Sequence, residues 1–260
     1  MLTSDFDNLL AQAGLMGITV VASSGDNGVS PTTGSRGTSC GYVPSWPSVS
    51  QYVLSVGATM GPEKGNPEQS CQSDCSFFSN KCDKITSGGG FSMYRPVPSY
   101  QASYVSAYFK AVKTQAKDGY VQFKTGNNAP TVGRGYPDIS ALGAGLSTVL
   151  GGKWYPFSGT SASAPIIAGI IALINSQRMQ RGKSPVGWIN PALYAAPATA
   201  FNDIVAGNNK CRMCDSACEQ SGGFPTCCTQ GFYAATGWDP MTGRGSPNYP
   251  NMLSYFLSLQ

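Results

Sequence analysis

The segment Ser158-Gly159-Thr160-Ser161-Ala162-Ser163-Ala164-Pro165 decides the fold, because it leads directly into a largely apolar segment over residues 166–178. The apolar segment predicts a helix that is apolar nearly all the way round, and such a helix belongs in a core. A serine at the start of that helix presents its hydroxyl where backbone N–H groups and the helix dipole favour developing negative charge. Ser161 is therefore a candidate nucleophile, although a serine that only caps the helix would have the same spacing.

A second informative stretch lies close to the first residue of the chain. Residues 18–22 form a continuous apolar, β-branched run, which predicts a strand buried on both faces. The run continues into Ser24-Gly25-Asp26-Asn27-Gly28, a sequence typical of a sharp turn. Reactive groups in parallel α/β sheets collect just beyond the carboxyl ends of the strands. Asp26 is therefore a second candidate site residue, with an Asx turn as the alternative interpretation.

The remaining pattern predicts an α/β protein built as one domain. Helices are expected over residues 4–16, with Ser4 as the N-cap, and over 100–113; strands are expected over 52–58, 138–142 and 147–150. No repeat and no linker divides the chain, which indicates a single domain over 1–260.

Composition excludes several classes of function. The chain contains no histidine, so it cannot form a Ser-His-Asp triad, a Cys-His dyad or a histidine metal site by itself. Only 12% of the residues are charged and the net charge is +4 without a basic cluster, which argues against nucleic-acid binding. The longest apolar stretch, residues 166–174, is too short to cross a membrane.

The cysteine content indicates disulfide bonds formed in an oxidising compartment. Nine cysteines stand at positions 40, 71, 75, 82, 211, 214, 218, 227 and 228. The odd number predicts that one thiol is free, pairs with another chain or pairs with a missing segment. Spacing does not fix the connectivity, and the cluster over 211–228 has an alternative interpretation as a zinc site.

The motif around Ser161 resembles the nucleophile motif that subtilisins and sedolisins share. Because subtilisins need a histidine base, the absence of histidine favours the sedolisins, the serine-carboxyl peptidases. Residues 24–28 are similar to the sedolisin segment in which an aspartate replaces the subtilisin oxyanion-hole asparagine. The segments Ser87-Gly88-Gly89-Gly90-Phe91-Ser92 and Tyr136-Pro137-Asp138 are most similar to the tripeptidyl-peptidase branch. The resemblance runs from about residue 4 to the end of the chain.

This resemblance implies a subtilisin-like parallel sheet flanked by helices, with the N-terminal portion missing. The chain would be the C-terminal portion of one catalytic domain. Ser161 would attack the peptide, and a protonated Asp26 would donate a hydrogen bond to the oxyanion, which favours acid pH. Ser87, Gly88 and Gly89 would bind substrate, because glycines allow a peptide backbone to approach closely. Asp138 is expected to be structural rather than catalytic.

The resemblance also implies one bound calcium ion in a loop over residues 201–245. The ligands would be Asp203 and Asp239 through their side chains, and Ile204, Ala235 and Gly237 through their main-chain carbonyls. Carboxylates and carbonyls form the hard oxygen cage that calcium prefers. Two turn aspartates without a metal are the alternative.

The sedolisin base pair, Glu-x-x-x-Asp on one helix face, is absent. The glutamates are Glu63, Glu68 and Glu219, and none has an aspartate four positions later. The chain is therefore predicted to be a tripeptidyl-peptidase-like acid peptidase that is inactive as it stands.

The expected partners are a peptide or protein substrate and, in the full-length protein, a propeptide. The expected location is secreted or in a lysosomal or acidic vacuolar lumen. The alternative is a non-catalytic, peptidase-like secreted binding protein. A weaker alternative is a disulfide-rich secreted adhesion module.

Overall fold

The computed structural model describes residues 2–29, 42–73, 83–115, 133–214, 225–228 and 230–260. Its helices are α1 (Leu2–Leu15), α2 (Ala102–Gln115), α3 (Thr160–Met179), α4 (Asn190–Ala195) and α5 (Tyr249–Ser258). Its strands are β1 (Val21–Ser23), β2 (Leu54–Met60), β3 (Gln69–Ser70), β4 (Gly90–Pro96), β5 (Gly133–Tyr136), β6 (Ile139–Leu142), β7 (Leu146–Leu150), β8 (Lys153–Phe157), β9 (Phe201–Asn202) and β10 (Ser246–Pro247). Short 3-10 turns lie at Pro62–Lys64 and Ala198–Ala200.

The central sheet is parallel, as the sequence predicts. β1 pairs with β2, with Val21 opposite Leu54, and β2 pairs with β6, with Val56 opposite Ile139. β3 adds a short antiparallel pairing at the end of β2. Every residue of β2 is buried, which fits its central position between two parallel neighbours. Among the described strands β1 pairs with β2 alone, so one edge of β1 is open.

Helix α3 packs on β1, β2 and β6 and forms the layer that covers one face of this sheet. Its buried positions include Ile167, Ile171 and Ile174, which recur at helical spacing and join the main core. The prediction that this helix is buried on all sides is wrong: Ile166 is 38% exposed and Leu173 is 56% exposed. The described part of the chain provides no layer over that outer side.

Several element bounds differ from the prediction for identifiable reasons. α1 begins at Leu2, so Ser4 lies inside the helix and is not its N-cap. β1 is only Val21–Ser23 and is half-buried rather than buried on both faces, because it lies at the edge of the described sheet. α3 begins at Thr160 and includes Pro165 as its sixth residue, so the helix lacks the one N–H that would bond to Ser161 O.

A hairpin of β7 and β8 lies just before α3. The sequence predicts its first strand, as residues 147–150, and not its second. β7 and β8 pair antiparallel, with Val149 opposite Trp154 and Thr148 opposite Tyr155. Trp154 is 73% exposed and Leu150 is 71% exposed, so the hairpin projects its apolar side chains outward. None of the described helices is long and apolar enough to span a bilayer.

The cysteines follow the disulfide prediction where the structure describes them. Cys211 and Cys227 form a disulfide, and Cys214 and Cys228 are also disulfide-bonded. Cys71 is a free, buried thiol, and burial raises its pKa well above the ordinary value. Because sulfurs in disulfides are not thiolates, the alternative zinc site at these four cysteines is wrong. Positions 40, 75, 82 and 218 lie outside the described residues.

Candidate active site

Ser161 lies in the first turn of α3 and is exposed. Gly159, the residue before the helix, has extended backbone angles, so the chain enters the helix from the sheet side without a side-chain cap. Within the described part of the chain, the Ser161 hydroxyl has no hydrogen-bond partner. The result is an accessible hydroxyl at the positive end of a helix dipole.

Asp26 lies directly beside that helix start. The turn leaves β1 through Gly25, whose φ of 104° is a conformation that favours glycine. The Asp26 Oδ1 atom accepts hydrogen bonds from the Thr160 backbone N–H and the Thr160 hydroxyl, each at 2.7 Å. Gly25 N–H donates to the same hydroxyl at 3.2 Å. The structure therefore brings Asp26 into contact with Thr160, the residue before Ser161, across 134 residues of sequence.

Gly159 leaves room for this arrangement. A Cβ atom built on Gly159 would lie 3.5 Å from Asp26 Oδ2 and 3.6 Å from the Ser161 backbone nitrogen. The second carboxyl oxygen therefore faces the small space in front of the helix start. Thr160, to which sequence reasoning gave no role of its own, is the residue that holds the carboxyl there.

Ser87, Gly88 and Gly89 lie against the Asp26 turn but are buried. Gly88 N–H donates to Gly25 O at 2.7 Å, and the Ser87 hydroxyl accepts from Ala58 N–H at 3.0 Å. A Cβ on Gly88 would collide with Ser24 O. Packing inside the protein is thus enough to explain a serine and two glycines at these positions. Their contact with substrate stays a prediction.

The residues predicted to bind calcium lie near one another. Asp203 is exposed and its Oδ2 accepts from Gly237 N–H at 2.9 Å. Asp239 is fully buried, and its carboxylate accepts from the backbone N–H groups of Ala235 at 3.0 Å and of Met241 at 2.9 Å. Burial raises the pKa of Asp239 to about 7, and these N–H groups oppose the shift.

The surroundings of Asp239 fit either alternative, a calcium ligand or a turn aspartate without a metal. Asp239 closes a turn, yet its carboxylate is strongly desolvated, which a bound cation would compensate. The carboxylate and carbonyl oxygens of Asp203, Ile204, Ala235, Gly237 and Asp239 are of the chemical type that binds a hard cation. In the described ranges, no group of three or more His, Cys, Asp or Glu side chains could hold a metal ion.

Asp138 is enclosed in the core. It is inaccessible and accepts hydrogen bonds from Arg134 Nη2 at 2.6 Å, Ser55 N–H at 2.8 Å and the Tyr194 hydroxyl at 2.9 Å. Burial raises its pKa, while the Arg134 guanidinium opposes that shift. These contacts match the structural role expected for Asp138; its partner Arg134 lies on strand β5, so the helical i,i+4 rule could not have revealed the pair from the sequence.

No described glutamate serves as a base for Ser161. Glu68 accepts hydrogen bonds from the hydroxyls of Thr59 and Ser246, and Glu63 accepts from Gly61 N–H. Glu219 lies outside the described residues. The described site therefore contains a candidate nucleophile and a candidate oxyanion donor.

Comparison with known proteins gives concordant results. The sequence profile of the Subtilase family matches residues 2–188. The chain is 39% identical to aorsin of Aspergillus oryzae over 95% of its length, and 36% identical to tripeptidyl-peptidase 1 of Dictyostelium discoideum over 98%. It spans 36% of the length of each of these relatives.

A solved structure shows the same fold. A Pseudomonas sedolisin, described as a serine-carboxyl proteinase complexed with two molecules of pseudo-iodotyrostatin, superposes with a TM-score of 0.66. The identity is 27%, and the match covers 97% of this chain and 59% of that one. This confirms the predicted subtilisin-like α/β fold with a parallel sheet. The chain belongs to the subtilase family, and its relatives and its structural neighbour identify it as sedolisin-like.

Proposed function

We propose that the chain carries the nucleophile and the oxyanion donor of a serine-type acid peptidase of the tripeptidyl-peptidase kind. One observation carries the proposal: the Asp26 carboxyl is bonded to Thr160, the residue before the exposed Ser161. A peptide carbonyl attacked by Ser161 would place its developing negative charge within reach of Asp26 and of the helix N-terminus. The relatives named tripeptidyl-peptidase support the substrate class.

In this proposal Asp26 acts as an acid. A carboxylate repels an oxyanion, whereas a carboxylic acid donates a hydrogen bond to it, so the reaction requires the protonated form. Turnover is therefore expected to rise on acidification. The proton of Ser161 must pass to a base, and the Glu/Asp pair that sedolisins use for this step is not among the 260 residues.

The loop over 201–245 is proposed to hold one calcium ion. Asp203 and Asp239 would bind it with their carboxylates, and Ile204, Ala235 and Gly237 with their carbonyls. The ion would neutralise a desolvated carboxylate and stabilise the loop. A propeptide in the full-length protein and delivery to an oxidising, acidic compartment belong to the same proposal, and the Cys211–Cys227 disulfide supports the compartment.

The test uses the Ser161 hydroxyl directly. A peptidyl aldehyde, which adds reversibly to a serine hydroxyl, is titrated against the purified chain at pH 4.5 and pH 7. Ser161→Ala is expected to abolish binding, while Ser254→Ala, at an exposed serine on α5, leaves it unchanged. Asp26→Asn donates a hydrogen bond at every pH and is expected to remove the preference for acid. Equal binding by the wild type and the Ser161 variant contradicts the proposal.

Activity of the chain alone is a separate question. Because the Glu/Asp pair is missing, tripeptide release at acid pH is expected to be absent or very weak. Ordinary turnover by the purified chain would show that another group serves as the base.

A second candidate function is a non-catalytic, secreted peptide-binding protein. The absence of a Glu-x-x-x-Asp pair favours it. This candidate predicts that an unreactive peptide alcohol binds as tightly as the matching aldehyde, and that Ser161→Ala leaves both affinities unchanged.

A further inference from the structure

The Asp26 turn, residues 24–29, packs against the loop over 201–245. Val29 N–H donates to the backbone oxygen of Asn209 at 3.1 Å. Gly28 has a φ of 57°, and a Cβ atom at that position would collide with the same oxygen. The segment around Asn209 therefore sets how far back the turn can lie.

The Asn209 side chain continues this contact to two other segments. It is fully buried. Its Nδ2 donates to Gly89 O at 3.2 Å, and its Oδ1 accepts from Phe232 N–H at 2.7 Å. The Asn209 N–H also donates to Phe232 O at 3.1 Å. One amide side chain thus satisfies a buried carbonyl and a buried N–H, each costly to leave unpaired.

The segment that Asn209 holds through Gly89 is itself bonded to the Asp26 turn. Gly88 N–H donates to Gly25 O at 2.7 Å, and Thr86 N–H donates to Asp26 O at 3.0 Å. The turn and the 86–89 segment form a short ladder, and Asn209 bonds to both strands of it. A displacement of this ladder moves the Asp26 carboxyl relative to Ser161, and a misplacement of about 1 Å can strongly reduce the rate of an oriented reaction.

We propose that Asn209 is the positioning residue that fixes the Asp26 turn and Gly89 against the 201–245 loop, so that this loop sets the geometry of the oxyanion site. The Cys211–Cys227 disulfide lies two positions further along the chain and holds the same segment. The proposal rests on the proposed function for its catalytic meaning. The structural coupling itself can be measured without any ligand.

The experiment compares Asn209→Asp with Asn208→Asp in the purified chain. Asn208 is the matched control, since it is an equally buried neighbour whose side chain bonds to Gln72 and to Lys210 N–H rather than to the Asp26 ladder. Backbone amide exchange over residues 24–29 and 86–89 is measured at pH 7 and pH 4.5. Titration with the peptidyl aldehyde follows.

Burial raises the pKa of an aspartate at this position, so exchange and affinity are also measured at pH 8.5, where the ionised carboxylate faces Gly89 O without a proton to donate. Asn209→Asp is therefore expected to lose about tenfold in exchange protection and in aldehyde affinity. At pH 4.5 the protonated acid can donate to Gly89 O, and both quantities are expected to recover to within about threefold of wild type. Loss of packing alone would not recover in this way. Asn208→Asp stays near wild type.

Wild-type protection in a folded Asn209→Asp chain at pH 8.5 overturns the proposal, and so does an equal loss in Asn208→Asp. If Asn209→Asp does not fold at pH 8.5, Asn209→Ser is used. Its short hydroxyl cannot reach Gly89 O, so both losses are expected at every pH, and wild-type behaviour counts against the proposal. Failure of the wild type to bind the aldehyde rejects the proposed function, while the exchange pattern still decides the role of Asn209.

Discussion

Two regions of the molecule differ in how completely polar side chains are hydrogen-bonded and apolar side chains are buried. On the closed side, defined here by Arg134, Asp138, Asn209 and Asp239, charged and polar side chains are buried and each has partners. On the open face, defined by Ile166 and Leu173 of α3, apolar side chains are 38% and 56% exposed. The difference indicates that the closed side has the contacts it needs, whereas the open face suits a further layer of protein.

The largest effect is expected on the closed side. Arg134→Met removes one member of a fully buried ion pair and leaves Asp138 without its cation. The free energy of unfolding is expected to fall by about 3–5 kcal/mol. Arg181→Met is the control, because Arg181 is exposed and, among the described residues, its side chain bonds only to Gln177. Urea unfolding of both variants measures the contrast, and equal stabilities would remove the distinction between the two sides.

The next effect concerns pH and Asp239. Its pKa is about 7 in the folded chain, while an unfolded aspartate titrates near 3.9. The folded state therefore binds the extra proton between these values, and its stability falls as the pH rises through this window. With divalent cations chelated, the loss is on the order of 4 kcal/mol between about pH 4 and pH 7.

The variant Asp239→Asn tests this assignment. It is expected to have a flatter stability profile over that pH range, with lower stability at pH 4 because the Ala235 N–H loses its acceptor. An unchanged slope in urea unfolding would assign the pH dependence to another group. If calcium binds as proposed, adding it should raise the stability most above pH 7, where the carboxylate is free of its proton.

A matched pair on α3 compares the two faces directly. Ile167 is 1% exposed and Ile166 is 38% exposed, although they are neighbours with the same side chain. Ile167→Ala is expected to cost about 2–4 kcal/mol, because it leaves a cavity against the sheet. Ile166→Ala is expected to cost less than about 1 kcal/mol. Thermal unfolding gives both values, and a similar loss at the two positions would show that the outer face is covered in solution.

The smallest effect on stability is expected at the exposed end of the same face. Leu173→Glu should change the free energy of unfolding by less than about 0.5 kcal/mol. It should, however, reduce self-association of the chain, since the exposed apolar face and the open edge of β1 favour contacts between copies. Sedimentation velocity over a range of concentrations measures this. A wild type that stays monomeric throughout would contradict the expectation.

Local signals in the sequence located the two candidate site residues. The apolar run before Asp26 and the small residues around Ser161 are local features, and the structure places Asp26 in contact with Thr160, the residue before Ser161. The catalytic roles of Asp26 and Ser161 stay predictions. The substrate, metal and domain assignments came only from resemblance, and they stay predictions.

Other features depend on contacts between distant residues, which a local pattern does not show. Asn209 has no distinctive spacing, and its role follows from where Gly89 and Val29 come to lie. The exposure of α3 was mispredicted for a related reason, because apolar composition shows what a helix can bury and not what is present to cover it.

The parallel register also has a consequence for how the chain acquires its structure. β1, β2 and β6 meet across separations of roughly 30 and 80 residues, so the core strands can pair only after long loops have closed. Folding should accordingly be slow, on the order of milliseconds to seconds or longer, with strand edges exposed meanwhile. Recovery from denaturant is therefore expected to improve steeply on dilution.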